Sequence, residues 1–473
     1  MNRIIAFLTL CFLMSCQEKT SDKTVITGQI INPNQDFLVL TDRENFLDTI
    51  FLNSQGEFRY EMQLLEEKVF HFKHSPEIQL IYLKPNDSIT LHLNTVDFDG
   101  SLAFGGDSAK ENNLMIDLFL NFRADQDLLF RYHNYTVDDF LMASDSLKSQ
   151  YLNKINSNQN HLKERSSFFQ DYVENSIAYH TANLNESFFF LTNRDYALDS
   201  KNDFIDSKSF RNGVEVNKDS YWDLAYLKFL DNFTKNLAVE DCIQRGVAVP
   251  TCQRMNTVEH LISRRNVVSD LIENPYLKNH LIKRFLTLEI TYADTQEKIN
   301  NTLKAIEDYN LLASDVKFLN RLADFHEQFV IGNTVSNVDF IDVNGDEQTL
   351  EPLLQKPTIV HTWSAFSDSN TNRRLPKINR LRENYPEIKI IGLNIDYNQH
   401  RFWRSKVLEH EFDTNLELQV KPNPEFEDLY IYYINKLFFV CPHGKVRDRK
   451  LLIFDDQIES SILELINNNH TYM

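Results

Sequence analysis

Five cysteines, Cys11, Cys16, Cys242, Cys252 and Cys441, are the side chains of this 473-residue chain best suited to covalent chemistry. No two of them stand as Cys-x-x-Cys, the spacing in which one thiolate attacks and the second resolves the mixed disulfide. Between Cys242 and Cys252 lie Gly246 and Pro250, residues that let a segment turn back on itself. A structural disulfide, two buried thiols and a redox-active pair are all compatible with that spacing; a disulfide there would be worth about 2–3 kcal/mol. Cys441 ends the strand-like run Leu437 to Cys441 and reads as a buried structural thiol. His71 and His74 are three apart in an alternating run, so they face opposite sides and make no metal pair. His410-Glu411 lacks the second histidine of a helical zinc site. Arg373, Lys377 and Arg380 share a helix face that is either solvated or set to meet an anionic partner. Ser367 has no base placed beside it by the sequence, so hydrolysis is not expected, nor is any metal or cofactor.

The amino-terminal residues bear on compartment. Met1 to Met14 combine Arg3 with the apolar run Ile4 to Leu13, about half the ~20 residues a membrane-spanning helix needs. Residues 1–15 therefore read as a secretion signal. The run closes on Leu13-Met14-Ser15-Cys16, which resembles a bacterial lipobox, so Cys16 is the expected lipidation site and residues 16–23 a tether. The expected location is the cell envelope, facing the periplasm or the cell surface. The expected partners are a membrane, reached through the lipid, and an envelope protein or ligand that the sequence does not name.

The elements that position these residues change type along the chain. With 49 basic and 68 acidic residues the net charge is −19, which disfavours nucleic acid as a partner because phosphate binding needs clustered cations. The 35 Phe and 19 Tyr argue for folded cores rather than disorder. Residues 24–105 alternate in short strands punctuated by turns such as Asn53-Ser-Gln-Gly56 and Lys84-Pro-Asn-Asp87, the pattern of an all-β sandwich. Residues 106–328 adopt a helical period and read as an α-helical middle domain, with a polar connection over 193–219. From residue 330 to 473 strand and helix alternate: strand Thr358 to Trp363, helix Ser369 to Asn384, strand Ile388 to Ile395, helix Gln399 to His410, strand Leu416 to Val420, helix Phe426 to Tyr432, then a hairpin and a last helix. That order predicts an α/β domain of thioredoxin type.

The last domain resembles the TlpA/ResA family of membrane-anchored thioredoxin-like proteins. Ile331-Gly332, Asp342-x-Asn344-Gly345, Leu350-x-x-Leu353, Trp363-Ser364-Ala365-Phe366, Leu375-Pro376 and His443-Gly444-Lys445-Val446 carry the resemblance, in order. Residues 24–113, with Gly105-Gly106 leading into Glu111-Asn112-Asn113, look like the β-rich domain that precedes such modules in exported lipoproteins of Bacteroidetes. The resemblance implies a Cys-x-x-Cys where strand meets helix and a cis-proline facing it. Here Ser367 and Asn370 stand in place of the two cysteines, and Asn435 in place of the proline. Ser367, Asp368 and Ser369 read as helix-capping residues instead. The expectation is a redox-inactive binding or scaffold module with no catalytic residue. The alternative is a TlpA-like thiol–disulfide oxidoreductase working through Cys242 and Cys252. A β domain that binds ligand in nutrient uptake is a further reading.

Overall fold

The computed structural model describes residues 23–473 except 43–44, 76, 158–165, 199–210, 212–215, 217–222, 255–256, 308, 336–338, 367, 443, 451–452, 454–457 and 470–473. Cys16, the signal and most of the tether lie outside the described residues, as does most of the polar connection expected over 193–219.

Alternation of apolar residues builds two four-stranded sheets in the first part of the chain. One has the order β4 (Glu57–Met62), β1 (Thr24–Ile31), β7 (Ser88–Asn94), β8 (Ala103–Gly106). The other runs β3 (Asn45–Phe51), β2 (Phe37–Asp42), β5 (Lys68–His74), β6 (Glu77–Leu83). Ile26, Ile30, Leu38, Leu40, Phe70 and Leu91 from both sheets form one buried cluster. Helix α1 (Ala109–Ala124) is sewn to an edge of each sheet by neighbouring asparagines. Asn112 exchanges 2.8 Å hydrogen bonds with the backbone N–H and C=O of Tyr82 in β6. Asn113 does the same with Phe104 in β8, at 3.0 and 2.9 Å. Gly106, at φ +96°, turns the chain into α1 where a Cβ would overlap the Ser88 carbonyl. The Gly105-Gly106…Asn112-Asn113 motif is thus a device that closes a sandwich.

Further helices are α2 (Val137–Ser157), α3 (Ser167–Leu198), α4 (Leu224–Gln244), α5 (Val258–Leu271), α6 (Pro275–Tyr292), α7 (Gln296–Glu307) and α8 (Ala313–His326). The final part contains β9 (Phe340–Ile341), β10 (Glu347–Gln348), β11 (Thr358–Trp363), α9 (Asp368–Asn384), β12 (Lys389–Asn394) and α10 (His400–Glu409). It closes with β13 (Glu417–Val420), β14 (Leu437–Val440), β15 (Val446–Lys450) and α11 (Ile458–Asn469). Its seven-stranded sheet has the order β10-β9-β13-β12-β11-β14-β15, with β11, β12 and β13 parallel and β14 antiparallel to β11. A parallel βαβ unit followed by an antiparallel hairpin and a helix is the thioredoxin-like arrangement.

Contacts divide the chain differently from the composition shifts at 106 and 328. One compact unit is Met1–Arg131 with Asp145–Ala178, and the other is Tyr132–Ser144 with Tyr179–Met473. The helical middle is no unit of its own, because its apolar residues are shared out between two cores. Ile116 of α1 belongs to the sandwich cluster. Tyr226, Leu261, Leu286, Ile299 and Leu322 of α4 to α8 belong to one continuous cluster with Val360, Ile391 and Phe438 of the last sheet. The expected helix Phe426 to Tyr432 is replaced by turns and one 3₁₀ turn, Tyr430–Tyr433. Tyr430 and Tyr433 are both buried, and the i, i+3 spacing of a 3₁₀ turn sets them on one side. Among the described residues no helix is long and apolar enough to cross a membrane.

Candidate functional site

The residues after β11 occupy the place where the resemblance puts reactive thiols, and they are held by a half-buried acid, Asp396. Ala365 donates its backbone N–H to Asp396 Oδ2 at 2.6 Å, and Asn394 Nδ2 donates to the same oxygen at 2.8 Å. Gln419 Nε2 in turn reaches Asn394 Oδ1 at 2.9 Å and the Asp396 carbonyl at 2.8 Å. Burial pushes the Asp396 carboxyl above its ordinary range, against the pull of its hydrogen bonds from Asn394, Ser364 and Ala365. Ser367 lies outside the described residues; Asn370 falls in the first turns of α9, and its side chain is not described. Asn435 sits just before β14 at φ +59°, in the left-handed region that asparagine tolerates. A proline ring holds φ at about −65°, so the backbone here is one that proline cannot adopt.

On the face of the sheet that α9 covers lies a polar row that the sequence reading did not single out. His361, Gly392 and Glu417 pair side by side across β11, β12 and β13, with Leu437 of β14 at the end of the row. Glu417 accepts a 3.0 Å hydrogen bond from Trp363 Nε1 and is fully buried. A Cβ on Gly392 would overlap the Glu417 carboxylate, so the absent side chain is what lets that group lie across the sheet. Arg374 and Arg382 come down onto the row from α9. The Arg374 guanidinium lies 5.3 Å from the Trp363 ring centre, and Arg382 Nη2 is 3.9 Å from Glu417 Oε1. Burial raises the Glu417 carboxyl to about 7, with both arginines and Trp363 opposing that rise. Burial likewise lowers Arg374 to about 10, and burial beside both arginines holds His361 well below its ordinary value, so its ring is neutral.

The signal that could have found these groups is positional. Arg374 and Arg382 flank Ile378 at i−4 and i+4, on the apolar stripe of α9 rather than on the solvated face. Of the basic residues that the sequence reading grouped, Lys377 is 4.0 Å from Glu459 and Arg380 is exposed, while the Arg373 side chain is not described. His361 alternates with Ile359 and Trp363, and Glu417 with Gln419, on one face of their strands.

The sulfur atoms lie elsewhere. Cys242 and Cys252 are joined as a disulfide, Cα–Cα 5.7 Å, with no solvent exposure of either residue. Val239, Phe190, Ile243 and Val247 enclose them, and the Cys252 carbonyl lies 3.0 Å from His260 Nδ1. Cys441 is a buried free cysteine whose N–H donates to the Lys445 carbonyl at 2.9 Å, closing the β14–β15 hairpin. His74 is buried between the Asn34 N–H and the Phe37 carbonyl, each 3.0 Å away. Among the described residues no group of His, Cys, Asp or Glu is arranged to hold a metal ion. On the opposite face of the last sheet is an apolar cavity of about 30 Å³ lined by residues such as Phe325, Val360 and Phe438. It is a packing void of water size without polar groups.

No protein-family model matches the chain, and no curated protein sequence does. Among solved structures, 29% of the chain is similar to 99% of the thioredoxin domain of a thiol-disulfide oxidoreductase from Bacteroides vulgatus, at 19% identity and a TM-score of 0.24. A thiol:disulfide interchange protein from a Bacteroides species matches 30% of the chain over 92% of its own length, at 20% identity and a TM-score of 0.23. The strand order given above, not these scores, defines the class: the chain carries a thioredoxin-like domain in its last 29% or so.

Proposed function

We propose that this protein is an exported lipoprotein, anchored through Cys16, whose thioredoxin-like domain is a non-redox binding or scaffold module of the cell envelope. The observation that carries the redox part is the backbone of Asn435. The loop facing the thiol positions has taken a conformation closed to proline, so the departure from the redox pattern extends beyond Ser367 and Asn370 to the main chain. Hydroxyl and amide groups at those two positions sustain no disulfide exchange. The disulfide between Cys242 and Cys252 supports a life outside the reducing cytosol. Its complete burial weighs against the alternative in which that pair relays electrons, because exchange needs access for an attacking thiolate.

Insulin reduction by the full chain tests the redox part. Background turnover is expected; turnover that vanishes on Cys441→Ser or Cys242→Ser would overturn it. Fractionation of cells tests the anchor, with Cys16→Ala expected to leave precursor or release soluble protein. Retention of that variant in carbonate-washed membranes would refute lipidation.

A further inference from the structure

The chain leading from Cys16 enters the β-sandwich at one end. Thr24 opens β1 opposite Met62, the last residue of β4, and Val25 lies beside Ser88, the first of β7. Lys68, the first residue of β5, pairs with Leu83, the last of β6, and its Nζ meets the Asp42 carboxylate at the close of β2. Asp42 in turn pairs with Asn45 across the β2–β3 turn. The β2–β3 turn, the β4–β5 connection and the β6–β7 turn are thus gathered where the chain enters.

Two of these three present apolar side chains to solvent. In the β4–β5 connection Leu64 packs against the sandwich core, whereas Leu65 is 95% exposed. Just past the β2–β3 turn Phe46 is 63% exposed, and a register shift leaves the exposed Leu47 without a cross-strand partner. Lys23, Lys68 and Lys84 at this end are each paired with a carboxylate, of Glu61, Asp42 and Glu111 respectively. Apolar contact, not charge, is what this end offers.

Chain length decides what it meets. The seven residues between Cys16 and Thr24 reach at most about 28 Å when fully extended. The far end of the sandwich lies a strand length, about 23 Å, further on. A tether this short holds the near end at roughly millimolar local concentration over the bilayer, enough to recruit a contact of two or three side chains. We propose that this end of the sandwich docks on the lipid surface itself, with Phe46, Leu47 and Leu65 entering the boundary between headgroups and acyl chains. The inference rests on the anchoring through Cys16 proposed above, and adds a second, non-covalent contact that fixes which end of the sandwich faces the membrane. The far end supplies matched controls: Phe51 closes β3 and Ile78 lies near the start of β6, at 69% and 48% exposure.

Residues 17–473 are held on phosphatidylcholine vesicles by an amino-terminal histidine tag and a nickel-chelating lipid, so that no acyl chain is needed. Cys441 is buried and Cys242 is bonded to Cys252, which leaves an introduced surface cysteine as the target for a dye. An environment-sensitive dye on Leu65→Cys should shift to the blue and be quenched by nitroxide-labelled lipid, while the same dye on Ile78→Cys should do neither. An equal response at the two positions, or none at Leu65→Cys, would overturn the docking. Phe46→Ser combined with Leu65→Ser should weaken vesicle affinity roughly tenfold, because apolar area that entered the lipid is lost. Phe51→Ser combined with Ile78→Ser should leave the affinity unchanged, and an equal loss from both pairs would refute the assigned end. A blue shift that grows with protein concentration in the absence of vesicles would make a second copy of the chain the occupant, and would also overturn the proposal. The tag replaces the lipid, so these outcomes do not depend on acylation of Cys16, which fractionation of Cys16→Ala reads separately.

Discussion

Two rows of the last sheet lie one residue apart on each strand and live in opposite environments. Phe438, Val360 and Ile391 are neighbours on one face, inside the continuous apolar core that α4 to α8 complete. One residue further along, Leu437, His361, Gly392 and Glu417 are neighbours on the other face, under α9. The first row is held by volume: any well-packed apolar group of similar size would serve. The second is held by particular partners, namely Trp363 on the carboxylate, two arginines above it, and a missing side chain beneath it. Apolar rows therefore lose stability in proportion to the atoms removed, while a buried ionic row loses it abruptly when one partner is displaced.

The largest test of this contrast removes the cover of the apolar face. A fragment of residues 330–473 lacks Tyr226, Leu286, Leu322 and Phe325, all members of the cluster that buries Val360 and Phe438. The sequence alone favours independent folding of this fragment; with that face uncovered it is expected to bind a hydrophobic dye and unfold without a cooperative transition. A sharp thermal transition would show that the apolar row does not depend on the helices. On the polar face, Gly392→Ala should cost about 4 kcal/mol in urea unfolding, because its methyl group pushes the buried carboxylate off Trp363 and away from the arginines. A loss below about 1 kcal/mol would mean that the carboxylate can relocate freely.

The pH dependence separates the faces next. Glu417 is held at about 7 against an ordinary 4.5, so the folded state keeps its proton more tightly than the unfolded state does. Between those values stability falls as pH rises, by at most ~1.4 kcal/mol per pH unit, and above the upper one the loss is complete. His361 works in the other direction. Its folded-state value is depressed by burial and then by the two arginines, so acid destabilises the fold as pH drops below the ordinary histidine value of 6.5. Subtracting the stability curve of Glu417→Gln from that of the parent isolates the carboxylate contribution; a flat difference from pH 4.5 to 7 would place its titration elsewhere. The smallest effect belongs to the apolar row, where Ile391→Val should cost about 1 kcal/mol at every pH. A pH-dependent loss there would show that the rows are coupled through the sheet.

Much of this was legible in the residues themselves. Short apolar runs at Thr358 to Trp363 and Ile388 to Ile395 read as strands, and the helical period of 369–384 marks what lies between them, because run length and period follow from local backbone geometry. Gly332 and Gly345, at φ +93° and +92°, occupy turns that glycine favours, which is why the motifs containing them read correctly as punctuation. The absence of any Cys-x-x-Cys is likewise a fact of the sequence. Tertiary structure decided the rest. It joined the apolar residues of α4 to α8 with one face of the last sheet, so a helical segment that looked like a domain became a wall of a larger core. It turned Arg374 and Arg382 inward, where their types alone predict a solvated face, and it set Glu417 over Gly392 some 25 positions away in the chain. The physical reason is range: period and turn chemistry are fixed by a few neighbouring residues, whereas burial and charge balance are fixed by whichever strands and helices the fold brings alongside.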